Sequence, residues 1–121
     1  MATILTVDDS PSIRQMIKVV LGPAGHTVIE AGDGAEGLAK AKASRVDLVI
    51  TDLNMPVMNG LELIRALRSV PTLLGLPIVF LTTESNDAIK LEAKRAGATG
   101  WITKPFKPDQ LLAVVNKLVR L

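Results

Sequence analysis

Apolar positions along the chain follow two alternating patterns: short unbroken runs, and longer stretches in which every third or fourth residue is apolar. Thr3–Asp8 is the first short run and predicts a strand. It ends at Asp8-Asp9-Ser10-Pro11, where a capping side chain followed by proline marks a helix start. Ile13, Met16, Ile17, Val20 and Leu21 then recur along one helical stripe until Gly22-Pro23. Thr27–Ala31 predicts a second strand and Gly34–Ala43 a short, Ala-rich second helix. Asp47–Asp52 is almost wholly apolar between two acids, the pattern of a strand covered on both faces. After a loop holding Pro56 and Gly60, Leu63, Ile64 and Leu67 mark a third helix. Pro77–Leu81 predicts the fourth strand, Asn86–Ala96 the fourth helix, stopped by Gly97, and Thr99–Ile102 the fifth strand. Residues 108–120 predict a last helix built on Leu111, Leu112, Val115, Leu118 and Val119.

Strand then helix, five times in 121 residues, predicts one α/β domain spanning residues 1–121: a doubly wound parallel sheet with helices on both faces. With 48% apolar and 21% charged residues, the composition suits a single packed core. The most apolar stretch, 73–81, is cut by Gly75 and Pro77 and is too short to cross a bilayer. No export signal precedes the first strand. With no Cys present, a cytoplasmic protein without membrane contact is expected. The lack of Cys also excludes disulfides, iron–sulfur clusters and thiol catalysis. The single His26, expected at the surface after Gly25, excludes any site needing two imidazoles. Met16, Met55 and Met58 read as core and loop packing.

Charge is unevenly spread. Residues 1–89 carry seven basic and ten acidic side chains, whereas residues 90–121 carry seven basic and two acidic. Such a basic quarter suits an acidic protein surface, nucleic acid, or simply water. Two Phe, one Trp and no Tyr leave little to stack unpaired bases, and no recognition helix remains once five are committed to the sheet. No nucleic-acid partner is expected.

Ligands of doubly wound sheets bind beyond the carboxyl ends of the strands. Those ends carry Asp8 and Asp9, then Asp52, then Thr82 and Thr83, then Thr103, Lys104 and Pro105. Three carboxylates gathered there repel one another unless a cation lies among them. Oxygen ligands completed by water suit Mg²⁺. Lys104 adds a fixed positive charge and Thr82 a hydroxyl, so the rim suits a phosphoryl group. Asp52, opposite Lys104, is placed to attack phosphorus and become an acyl phosphate. As simple helix or turn caps these acids would be explained one by one, but not their shared rim with Thr and Lys. An aspartyl phosphatase is the competing enzyme reading. Such enzymes use a second acid two positions on as general acid, and here that position holds Asn54. Gly32-Asp33-Gly34-Ala35-Glu36-Gly37 spells a dinucleotide-binding turn, but Asp33 and Glu36 place negative charge where a pyrophosphate would lie.

Asp8-Asp9-Ser10, the run from Asp52 to Gly60, Thr82, and Lys104-Pro105-Phe106 together resemble the receiver domain of two-component response regulators. The resemblance covers the whole chain in order, and is greatest to the stand-alone chemotaxis (CheY) type with no output domain. It implies a flavodoxin-like strand order 2-1-3-4-5, and a phosphorylation-dependent signalling switch rather than a turnover enzyme. By the same resemblance Asp52 is the phosphoacceptor and Asp9 and Asp52 ligate Mg²⁺ directly. Asp8 acts through water, and the Asn54 backbone carbonyl completes the set. Lys104 contacts the phosphoryl group, the Lys104–Pro105 bond is cis, and Thr82 and Trp101 are the switch pair. Trp is a departure there, since Tyr or Phe is commoner. Asn54 and Glu84 tune the lifetime of the phosphorylated state. The implied partners of a monomer are a sensor histidine kinase of the chemotaxis type, an output protein such as the flagellar motor switch, and a phosphatase. A phosphate sink or a regulator in another relay is the alternative. The basic face with Lys90, Lys94, Trp101, Lys107 and Lys117 is expected to dock an acidic or amphipathic segment.

Overall fold

The computed structural model describes residues 2–119. Its elements are β1 (Thr3–Val7), α1 (Pro11–Leu21), β2 (Thr27–Ala31), α2 (Gly34–Ala43), β3 (Leu48–Thr51), α3 (Gly60–Arg68), β4 (Ile78–Thr82), α4 (Asp87–Ala96), β5 (Gly100–Thr103) and α5 (Pro108–Leu118). A 3-10 turn at Pro71–Leu73 adds to these. The five strands pair in parallel in the order 2-1-3-4-5, the doubly wound arrangement that the strand–helix alternation predicts.

Alternation along each strand divides the interior into two layers, because successive side chains leave opposite faces of a sheet. Leu5, Val7, Val49, Ile78 and Phe80 pack with Ala41, Leu63, Ile64, Leu67 and Ala93 under α2, α3 and α4. Ile4, Leu48, Ile50, Val79 and Leu81 pack with Ile17, Leu21, Leu111 and Val115 under α1 and α5. Both faces of β3 and β4 are therefore covered, as their lack of polar alternation requires.

Most differences from the sequence expectations lie at element ends. Asn86 is the cap of α4 rather than its first residue, its side chain accepting from the amides of Ala88 and Ile89. Strands β4 and β5 each begin and end one residue later than expected, which brings Thr82 and Thr103 into register at the rim. Asp47 and Asp52 flank β3 rather than belonging to it; the Asp47 carboxylate accepts from the Thr3 amide. The last helix ends at Leu118, and its expected end at Arg120 lies outside the described residues.

Two side chains differ in burial. Met16, expected in the core, is half exposed, because α1 fully buries only Ile17 and Leu21 and turns Met16 to its flank. His26 is half buried rather than a surface residue, since its turn folds back to donate an amide to the Leu21 carbonyl.

The Gly32–Gly37 run is explained by packing. The Asp33 carboxylate caps α2 by accepting from the Glu36 amide, and Glu36 accepts from the Gly32 amide. A side chain at Gly37 would strike Val7, and one at Gly34 would strike Met58.

Candidate functional site

Three chain segments converge at the carboxyl edge of the sheet. Strand β1 hands over to helix α1 through Asp8, Asp9 and Ser10, whose hydroxyl caps the helix by accepting from the Ile13 amide. Asp52 follows β3, its amide tied to the Val7 carbonyl at 2.9 Å. That bond fixes the end of β3 beside the end of β1. A turn over residues 54–59 brings the chain from Leu53 back to α3, whose start carries a full capping box between Asn59 and Glu62. Gly60 is required there: a Cβ would strike the Asp52 carbonyl and the Phe80 ring.

Carboxylate oxygens of Asp8, Asp9 and Asp52 lie within 4.8 Å of one another. Lys104 Nζ reaches into the cluster, donating to Asp8 Oδ2 at 2.8 Å and to Asp52 Oδ2 at 3.1 Å. The lysine comes from the segment after β5. Its amide donates to the Thr82 carbonyl at 2.8 Å, and the Lys104–Pro105 bond is cis.

The three acids differ in how they are held. Asp8 is buried, and both of its oxygens already accept, one from Lys104 and one from the Ser10 amide. Asp52 is largely buried and accepts from the Leu53 amide as well as from Lys104. Asp9 is exposed, and among the described residues no hydrogen bond or ion pair reaches its carboxylate. One lysine thus faces three carboxylates. An all-oxygen set with an unpartnered carboxylate on Asp9, and surplus negative charge, fits a hard divalent cation.

Electrostatics within the cluster oppose one another. Burial holds the Asp8 carboxyl above its ordinary value, outweighing the hydrogen bonds from Lys104 and Ser10. For Lys104 burial acts downward, but the bonds to Asp8 and Asp52 prevail and raise the ammonium above its ordinary value. An acid whose folded pKa is raised supports the fold fully below its unfolded value. That support is lost as pH rises through the folded value. Asp8→Asn is therefore expected to melt above the wild type at neutral pH in EDTA. The gap should close as pH falls below the unfolded value of 3.8. Thermal unfolding followed by circular dichroism at several pH values checks this; a variant that melts lower at pH 7 would refute it.

The side chains of the other residues singled out in the sequence make no hydrogen bond to the three carboxylates or the Lys104 ammonium among the described residues. Thr82 is fully buried at the end of β4, its hydroxyl accepting from the Glu84 amide at 3.3 Å. Trp101 lies on the edge strand β5 against Phe80, with ring centroids 5.5 Å apart. Its indole Nε1 donates to the Glu84 carbonyl at 3.2 Å, and Lys90 Nζ lies 5.8 Å from its ring centre. Asn54 is exposed in the loop after β3. Arg14, which no sequence motif singles out, donates through Nη1 to the Asp8 carbonyl. Only the fold shows this, because a polar residue on an amphipathic helix carries no signal of what it reaches.

Residues 4–116 match the model of the response regulator receiver domain. Among curated proteins, the chain is 34% identical over 119 residues to protein PilH of Pseudomonas aeruginosa, covering 98% of both chains. It is 38% identical over 117 residues to the DNA-binding response regulator MtrA of Mycolicibacterium smegmatis. That match covers 97% of this chain but spans only 50% of MtrA. Among solved structures, Vibrio cholerae chemotaxis protein CheY4 superposes with a TM-score of 0.93 at 48% identity, covering 98% of each chain. The receiver domain of the sensor histidine kinase PA1611 from Pseudomonas aeruginosa was solved with magnesium coordinated in its active-site cleft. It superposes with a TM-score of 0.90 at 26% identity, covering 98% of this chain and 97% of that one. With this fold, and with a family match across nearly its whole length, the chain belongs to the response regulator receiver domains of two-component signalling.

Proposed function

We propose that the chain is a phosphorylation-driven switch in which Asp52 accepts a phosphoryl group from a phosphohistidine of a sensor kinase, in chemotaxis signalling. The observation that carries this reading is Lys104 Nζ bonded to both Asp8 and Asp52, with the Asp9 carboxylate beside them and unpartnered among the described residues. Asp9 and Asp52 would hold Mg²⁺ directly, with the Asn54 carbonyl, while Asp8 would act through water. Bound there, the ion would neutralise charge on the phosphoryl oxygens.

In the transfer an Asp52 oxygen forms a bond to phosphorus as the phosphorus–nitrogen bond to the donor imidazole breaks. The nitrogen leaves with the electron pair and takes a proton from water. Lys104 stabilises the charge gathering on the equatorial oxygens. The Thr82 hydroxyl, at the neighbouring strand end, would then exchange its Glu84 amide for a phosphoryl oxygen. Because the Trp101 indole holds the Glu84 carbonyl, movement of this loop would reach the face of α4, β5 and α5. Asn54 and Glu84, each two residues beyond a reacting side chain, would set the lifetime of the acyl phosphate.

Trp101 provides the test, since it is the chain's only Trp. Acetyl phosphate with Mg²⁺ is expected to change its fluorescence, and EDTA to abolish the change. A change of equal size in EDTA would overturn the reading.

The output surface is the basic one. Lys90, Lys94 and Trp101 line a groove of about 330 Å³ between α4 and β5, with Lys107 and Lys117 exposed on and before α5. An acidic or amphipathic segment of the output protein suits it. CheY4 is a chemotaxis protein, and for a chemotaxis receiver the partner proposed here is a flagellar motor switch protein. Lys90→Glu with Lys117→Glu should weaken binding of an acidic motor-protein peptide on the order of tenfold and reduce its salt dependence. Unchanged affinity in a fluorescence anisotropy titration would exclude this face.

A further inference from the structure

Asp9 is the least restrained acid of the cluster. No protein group holds its carboxylate among the described residues, so the fold places it only through the backbone from which it extends. That backbone is gripped on both sides. The Asp8 amide donates to the Ala31 carbonyl at 3.0 Å, and the Asp8 carbonyl, which shares its peptide plane with the Asp9 amide, accepts from Arg14 Nη1. Arg14 Nε in turn donates to Glu30 Oε1 at 3.1 Å, on the residue next to Ala31 in β2. The Arg14 side chain is only 18% exposed, so its guanidinium is packed between α1 and β2. A rigid planar fork can span a carbonyl and a carboxylate at once, which a single ammonium cannot.

We propose that Arg14, braced by Glu30, is a positioning residue for cation binding: it fixes the Asp8–Asp9 peptide so that the Asp9 carboxylate is presented beside Asp52. This rests on the reading of the acidic cluster as a Mg²⁺ site. Charge and geometry predict opposite signs for the loss of Arg14. Removing a positive charge near a cation site strengthens binding by Coulomb attraction alone. Releasing the peptide that carries a ligand weakens it. Lys18 separates the two effects further. It lies 3.9 Å from Glu30 but forms no hydrogen bond to the Asp8 carbonyl.

The experiment is calorimetric titration of MgCl₂ into the full metal-free chain at constant ionic strength, with folding checked by circular dichroism. Arg14→Gln is expected to bind on the order of tenfold more weakly than wild type, as for other residues that orient a metal ligand. Arg14→Lys, which keeps the charge, should lose as much, and Glu30→Gln should also weaken binding. Lys18→Gln should stay within about twofold of wild type. Arg14→Gln and Arg14→Lys binding as tightly as wild type, while Asp9→Ala loses binding, would overturn the role of Arg14 and leave the metal site standing. Wild type that fails to bind Mg²⁺, or Asp9→Ala that binds like wild type, would overturn the site itself. Should the Arg14 variants not fold, unchanged affinity in Glu30→Gln would overturn the brace.

Discussion

Asp52→Asn is expected to take up no phosphoryl group from acetyl phosphate and Mg²⁺, under conditions in which the wild-type chain gains one. Asparagine keeps the shape of the side chain and leaves Lys104 its bond to Asp8, so the rim should keep its geometry. The substitution removes the anionic oxygen that attacks phosphorus, and a neutral amide is a far poorer nucleophile. Intact-mass spectrometry reads the outcome directly. A single labile adduct on the variant, in wild-type yield, would move the acceptor elsewhere, with exposed Asp9 the first candidate. Lys104→Met tests the electrostatic half of the same chemistry. Loss of one charged donor to the developing oxyanion should slow labelling about 10²-fold while leaving the acceptor intact.

Phe80→Ala is expected to cost about 3–5 kcal/mol, a large part of the stability of a domain of this size. The ring is fully buried in β4, beside the Cα of Gly60 on one side and 5.5 Å from the Trp101 ring centre on the other. Truncation leaves a void between two rigid elements, α3 and β5, that cannot both move in to fill it. A fall of roughly 10–20 °C in melting temperature follows from typical unfolding entropies. Phe80→Leu, which keeps most of the volume, should lose about 1.5 kcal/mol or less. Denaturant unfolding of the three proteins distinguishes them; a Phe80→Ala loss under about 1 kcal/mol would show that the core around this ring collapses freely.

These two residues differ in how far the sequence reveals them. Asp52 is legible because an acid closing an apolar strand in a doubly wound pattern lies on the ligand-binding rim whatever the loops do. Asp8, Asp9, Thr82 and Lys104 are legible for the same reason. The role of Phe80 is not, since one aromatic in an apolar run carries no sign of what it touches. Met16 fails the stripe expectation because helical spacing marks a face about a third of the circumference wide, and only its centre meets the sheet. The Gly32–Gly37 run misleads in the opposite way. Its glycines answer to Val7 and Met58, both brought there by the fold.

Local periodicity and turn chemistry determined the element order, the parallel sheet and the acids at its rim, because strand-end position depends on only a few neighbouring residues. Tertiary structure alone decided that one lysine joins Asp8 and Asp52, that Asp9 is left without a partner among the described residues, and that Arg14 grips the peptide between the first two acids. Contacts between segments up to 96 positions apart leave no periodic trace in either one. They arise where strand order brings distant ends together, and side-chain reach then selects which groups meet.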